Sequence, residues 1–130
     1  MRYHVKNVPM KGWLYEEFDL VDVRVTANLL VRLLVAKIED KDRLIGILRR
    51  IPVVQDDPSW RCRTWIANAL VEMQKDGKAV GTSILDWEKI ETWAREYTAK
   101  KAAEGRYANP KTILDPRPMW DMLRGKEIIP

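Results

Sequence analysis

The stretch Gln55-Asp56-Asp57-Pro58-Ser59-Trp60-Arg61-Cys62-Arg63-Thr64-Trp65-Ile66-Ala67-Asn68-Ala69-Leu70 starts as a turn and becomes a helix. Asp57 can act as N-cap with Pro58 at the first helical position, where a missing N–H costs nothing; Ser59 is the rival cap. Trp65, Ile66, Ala69, Leu70 and Met73 recur at helical spacing, and Cys62 falls on the same face. Asp76-Gly77 ends this helix, because glycine adopts the left-handed capping conformation without strain. Either cap puts Cys62, the one cysteine of the chain, in or just after the first turn. Unpaired N–H groups and the helix dipole favour a thiolate at such a place.

Upstream, Tyr3 to Asn7 alternates as a short strand, Val8 to Gly12 reads as a turn, and Trp13 to Leu20 suits a second strand, so the two form a hairpin. Val21, Val23 and Val25 alternate with Asp22 and Arg24 as a further strand. The apolar run Leu29 to Ile38 follows Asn28 and reads as a central strand, since three of its residues are β-branched and no cap chemistry fits a helix. Glu39-Asp40-Lys41-Asp42 opens a helix with Leu44, Ile47, Leu48 and Ile51 on one face; acidic residues begin it, Arg49-Arg50 end it, and Pro52 stops it. Downstream, Ala79 to Leu85 is a connection. A helix to about Glu104 then presents Trp87, Ile90, Trp93, Ala94 and Tyr97, with Ser83 and Asp86 before it resembling a capping box.

Strands first and three helices after predict an α+β fold, with a small antiparallel sheet of three to four strands packed against the helices. Residues 1–107 form one such domain. Residues 108–130 carry four of the seven prolines and read as an irregular tail docking on the body, with 118–123 as one helical turn. At 130 residues the chain needs no disulfide or metal to fold. A single cysteine excludes an internal disulfide framework and multi-cysteine zinc sites, and fits a reducing, cytoplasmic setting. No apolar run reaches membrane-spanning length. The net charge of +4 is interleaved rather than clustered, which argues against nucleic acid as a partner.

Taken in order, Tyr3-His4-Val5-Lys6-Asn7, the run Leu30 to Asp40, Trp60-Arg61-Cys62-Arg63-Thr64-Trp65, Asp86-Trp87 and Gly105-Arg106-Tyr107 resemble a family of small uncharacterised fungal proteins. That layout is in turn similar to circularly permuted papain-like proteins: the NlpC-like, PPPDE-type and lecithin retinol acyltransferase-like groups. In those groups a His on an early strand faces a Cys at the start of a later helix, and the matching positions here are His4 and Cys62. The fungal family has a further strand, with its own His, before the Tyr-His run, whereas this chain begins almost at that run. The resemblance therefore implies an uncovered sheet edge, which proteins normally cover, charge or pair with another chain. A homodimer through that edge is one expectation.

A thiol hydrolase or acyltransferase needs a thiolate, an imidazole within reach, a group orienting the imidazole and oxyanion donors. Cys62 is the candidate nucleophile, His4 the candidate base and Gln55 the candidate oxyanion donor; Asn7, Tyr15 or Glu16 can orient the ring. The plainer reading of Cys62 is packing between two tryptophans, since cysteine is among the most buried residue types. Arg49, Arg50, Arg61 and Arg63 with Trp60 form a candidate binding patch, and Trp120 a candidate docking residue. No metal or cofactor is expected: ligands are few, Asp40, Asp42 and Asp57 suit helix starts, and Gly77 and Gly81 make no phosphate loop. The expectation is thus a non-catalytic interaction or assembly module on a thiol-hydrolase-like scaffold. Its partner is another protein or a second copy. The alternative is a cysteine-dependent hydrolase or acyltransferase.

Overall fold

The computed structural model describes residues 1–20, 22, 29–112 and 114–130. The strand expected over Val21, Val23 and Val25 lies outside them, apart from Asp22. The class is α+β. Among the described residues the order is β1 (Arg2–Val8), β2 (Gly12–Phe18), β3 (Arg32–Leu34), β4 (Ala36–Ile38), α1 (Lys41–Arg50), α2 (Cys62–Asp76), β5 (Val80–Ser83), α3 (Trp87–Ala103), β6 (Met119–Asp121) and β7 (Lys126–Ile129). These strands form three small sheets ordered β1-β2, β3-β6-β7 and β4-β5. The chain makes two compact units, one of residues 1–21 with 37–81 and one of residues 22–36 with 82–130.

The first unit is built on the β1–β2 hairpin. Its turn holds Met10 and Gly12 at positive φ, and the Lys11 N–H donates to the Val8 carbonyl at 3.0 Å. The register pairs Tyr3 with Glu17, Val5 with Tyr15 and Asn7 with Trp13. Directly paired residues share a face, so these six stand on one side; Arg2, His4 and Lys6 stand on the other with Phe18, Glu16 and Leu14. The first side meets the helices. Trp13 packs edge-to-face on Trp60 with centroids 5.4 Å apart, and Tyr15 packs on Trp65 of α2 at 5.8 Å. Ile47, Ile51, Ala69, Leu70 and Met73 complete a core in which Trp65 is only 3% exposed.

Asp40 caps α1 by accepting from the Arg43 N–H, as the acidic opening predicts. The start of α2 differs from the sequence reading. The Asp57 carboxylate takes the N–H and hydroxyl of Ser59, and the Trp60 N–H donates to the Asp57 carbonyl. Those bonds close a separate turn, so Arg61 becomes the N-cap and Cys62 the first helical residue. Thr64 Oγ1 accepts from the Arg61 N–H at 3.1 Å. Cys62 is exposed, and so is Ile66 one turn later; the buried stripe is Trp65, Ala69, Leu70 and Met73. Gly77 ends α2 at φ 67°, in the left-handed conformation its position requires.

In the second unit, β3 runs parallel to β6, and β6 pairs antiparallel with β7 through an irregularity between Met119 and Trp120. The run Leu29 to Ile38 is two strands rather than one, because its partner changes: β3 pairs with β6 and β4 with β5. The break falls at Val35, whose carbonyl accepts from the Ile84 N–H at 2.7 Å. Residues 80–83, expected as a connection, are strand β5. Residues 119–121, expected as a helical turn in an irregular tail, are strand β6. Pro118 suits a strand entry because it lacks a donor but keeps its carbonyl, which accepts from the Arg32 N–H at 2.8 Å.

The α3 N-cap is Asp86, accepting from the N–H groups of Glu88 and Lys89; Ser83, expected to open a capping box with Asp86, is instead the last residue of β5. Trp120 packs on Trp93 and Tyr97 of α3 with centroids 4.9 and 5.7 Å apart. Beside them lies an ionic cluster. The Lys101 Nζ, on a residue 4% exposed, is 2.7 Å from Glu127 and 3.2 Å from Glu104, and the Tyr97 hydroxyl donates to Glu127 at 2.6 Å. Burial works against the Lys101 charge, but the bonds to Glu127 and Glu104 outweigh it and hold the ammonium above its usual range.

Candidate functional site

The residues named for thiol chemistry sit as follows. Cys62 is exposed at the first position of α2, flanked by the exposed Arg61 and Arg63. His4 lies in β1 on the side of the hairpin opposite the one that packs against α2. Its Nε2 is 3.6 Å from Glu16 Oε1, too long for a hydrogen bond. Glu16 instead pairs with Lys6, whose hydrogen bond holds that carboxyl below its usual range. Among the described residues no hydrogen bond joins Cys62 to His4.

Gln55 is occupied by the backbone. Its Nε2 donates to the Trp13 carbonyl at 2.6 Å and its Oε1 accepts from the Trp13 N–H at 2.9 Å. The pairing fixes the amide on Trp13, with one Nε2 N–H spent on the Trp13 carbonyl and the second N–H left over.

Arg49 forks onto Glu17, with Nε at 2.6 Å from one carboxylate oxygen and Nη2 at 3.0 Å from the other. The Tyr15 hydroxyl donates to the same carboxylate at 3.0 Å. The Arg49 bond holds the Glu17 carboxyl below its usual range; burial, with Glu17 second, pushes the Tyr15 phenol up to about 12. Trp60, at 5% exposure, is a core residue and offers no stacking surface. Arg50 has no ion-pair or hydrogen-bond partner among the described residues.

Arg50 faces a feature the sequence reading missed. An open cleft of about 700 Å³ in the first unit is lined by Ile47, Arg50, Ile51 and Pro52 from one side and by Asn68, Val71, Glu72, Lys75 and Asp76 from α2 on the other. Asp76 is tied into the fold, accepting from Arg43 Nε at 2.5 Å and from the N–H groups of Lys78 and Ala79. Burial would raise its carboxyl, but those three bonds together hold it below its usual range. Glu72 meets Lys75 at 3.4 Å in an exposed pair, a kind of contact that contributes little. Val71 is 50% exposed, and the side-chain amide of Asn68 has no hydrogen-bond partner among the described residues. The volume is that of a small-ligand or short-peptide site. The spacing 68, 71, 72, 75 is a helical face and was visible in the sequence; that the end of α1 stands across from it was not.

Among the described residues no group of three or more His, Cys, Asp or Glu side chains is placed to hold a metal ion. No described helix is long and apolar enough to cross a membrane. No curated protein and no solved structure matches the chain. One family pattern does, over residues 1–129, and with nearly the whole chain matched this protein belongs to the family of unknown function DUF6914.

Proposed function

We propose that this chain is a non-catalytic interaction or assembly module of the cytoplasm, on a scaffold whose order of elements resembles the permuted papain-like proteins. One observation carries the reading: His4 and the helix that begins at Cys62 lie on opposite sides of the β1–β2 hairpin. A base must come within about 3 Å of its nucleophile, directly or through one water, and the body of a strand pair is in the way. The two bonds from Gln55 to the Trp13 main chain give that amide a structural role, which supports the same reading. Self-association belongs to it as well. The bonds from Gln55 to Trp13 take up part of the outward edge of β2, while no strand pairs with the outer edge of β1 among the described residues. Such an edge is a ready template for a second chain.

The alternative is a cysteine-dependent hydrolase or acyltransferase with Cys62 as nucleophile and His4 as base. The exposure of Cys62 at the first residue of a fifteen-residue helix favours it. Iodoacetamide labelling of the native protein from about pH 5 to about pH 9, beside His4→Ala, separates the two readings. Slow labelling below neutrality with the same profile in the variant is expected. Fast labelling in that range, lost in His4→Ala, overturns the module reading.

A further inference from the structure

We infer that the tip of the β1–β2 hairpin docks in a groove along α3 of a second copy of this chain, with Met10 against Trp93 and Lys11 among the groove's carboxylates. The inference rests on the module reading above and names a contact distinct from the β1 edge.

The turn at the tip carries an unexpected residue. The Lys11 N–H donates to the Val8 carbonyl at 3.0 Å, with Pro9 at the second position of the turn and Met10 at the third. Proline fixes a negative φ, and Met10 has φ 68°, which is the pattern of a type II turn. The third position of that turn ordinarily takes glycine, because a Cβ there is strained. The Met10 side chain is also fully exposed, at 105%, so it packs against no part of its own chain. Neither turn geometry nor the core accounts for a methionine here, whereas a partner surface does. Lys11 beside it is exposed, and its ammonium has no partner among the described residues.

The chain offers a surface of matching chemistry. A shallow groove of about 440 Å³ along α3 is lined by Asp86, Glu88, Lys89, Thr92, Trp93 and Glu96. Trp93 is partly exposed and is backed by Tyr97 and Trp120. Asp86 is taken up by the N–H groups of Glu88 and Lys89. The carboxylates of Glu88 and Glu96 have no partner among the described residues, and Lys89 forms no ion pair with them. Three carboxylates against one cation leave the lining net negative.

Tip and groove correspond in kind. A thioether packs favourably on an aromatic ring, and methionine adapts to an irregular surface. Glu96 lies one turn from Trp93 on α3, so a cation next to the seated methionine comes within its reach. The contact is small, so the association is weak, and charge decides which surfaces meet. Because tip and groove are different surfaces, the contact is heterologous.

The test is sedimentation velocity of the full chain from about 10 µM to about 500 µM, the range suited to a small interface, at low and at moderate salt. The mean mass is expected to rise with concentration, and less so at the higher salt. Met10→Gly, Lys11→Glu and Glu96→Lys should each weaken the association about tenfold. Lys11→Glu combined with Glu96→Lys should recover it relative to either single change. Met10→Gly puts the usual residue into the turn, so its circular dichroism melt should not fall, and the lost association is then not unfolding. A monomer at every concentration overturns the inference and leaves the tip to a partner of another kind. Association indifferent to Met10→Gly, or not recovered in the combined variant, also overturns it and returns self-association to the β1 edge. None of these results depends on Cys62 labelling, so failure of this contact and failure of the module reading are told apart.

Discussion

The side-chain amide of Gln55 holds the main chain of Trp13 from both sides, donating to its carbonyl at 2.6 Å and accepting from its N–H at 2.9 Å. It does for one residue of β2 what a neighbouring strand does for a whole edge. Gly12, at φ 82°, lets this approach happen, because a Cβ there would collide with the Gln55 amide oxygen. Gln55→Ala is expected to lower stability by about 1–2 kcal/mol, the range for two partly exposed hydrogen bonds. Gln55→Glu removes the donor and sets a carboxylate against a carbonyl, so it should cost at least as much. Urea denaturation of the two variants checks both.

The Glu17–Arg49 fork ties α1 to β2 and makes stability depend on pH at both ends of the scale. The folded Glu17 carboxyl titrates below its unfolded value, so its contribution is present above about pH 4 and is lost as pH falls through the lower folded value. Tyr15 is shifted the other way. Its folded phenol titrates at about 12, so its contribution is full below the unfolded value near 10 and is lost as pH rises towards 12. Glu17→Gln should flatten the acid limb of a stability profile, and Tyr15→Phe the alkaline limb. Denaturation midpoints measured across pH, with phenolate absorbance for Tyr15, test these expectations.

Lys101 is nearly buried, and its charge is met by Glu127 and Glu104. Glu127→Gln leaves that ammonium with one carboxylate and should cost roughly 2 kcal/mol, less than a fully buried pair because Glu127 is partly exposed. Replacing both partners with apolar residues, Lys101→Met with Glu127→Leu, should cost less than the sum of the single changes. A double-mutant cycle by chemical denaturation measures the coupling.

Asp121 is 2% exposed and closes the turn between β6 and β7, where its Oδ1 accepts from the N–H groups of Leu123 and Arg124. Asp121→Ala strands two turn donors and should cost about 1–3 kcal/mol. Asp121→Asn keeps an acceptor oxygen and should cost less. Hydrogen exchange at Leu123 and Arg124 reports the local loss in either variant.

What the sequence determined by itself is local. Asp40 before Lys41, Pro52 after Ile51 and Gly77 after Asp76 mark helix ends through capping chemistry that acts within a few residues. The alternating hairpin and the apolar stripes of α2 and α3 are of the same kind, and together they carry the α+β class. Tertiary structure decided whatever depends on residues far apart in the chain. The division of Leu29 to Ile38 into two strands follows from a change of pairing partner, and the strand at Met119 exists because β3 supplies the other half of its ladder. Cys62 reads as packed in the sequence and stands exposed, because the turn made by Asp57 and Ser59 delays the helix until the thiol is its first residue. The cleft belongs to the same class: Arg50 and Val71 are ordinary surface residues until α1 and α2 set them around one hollow. Caps and periodicity are properties of a segment, whereas register, pairing and cavities are properties of two segments at once.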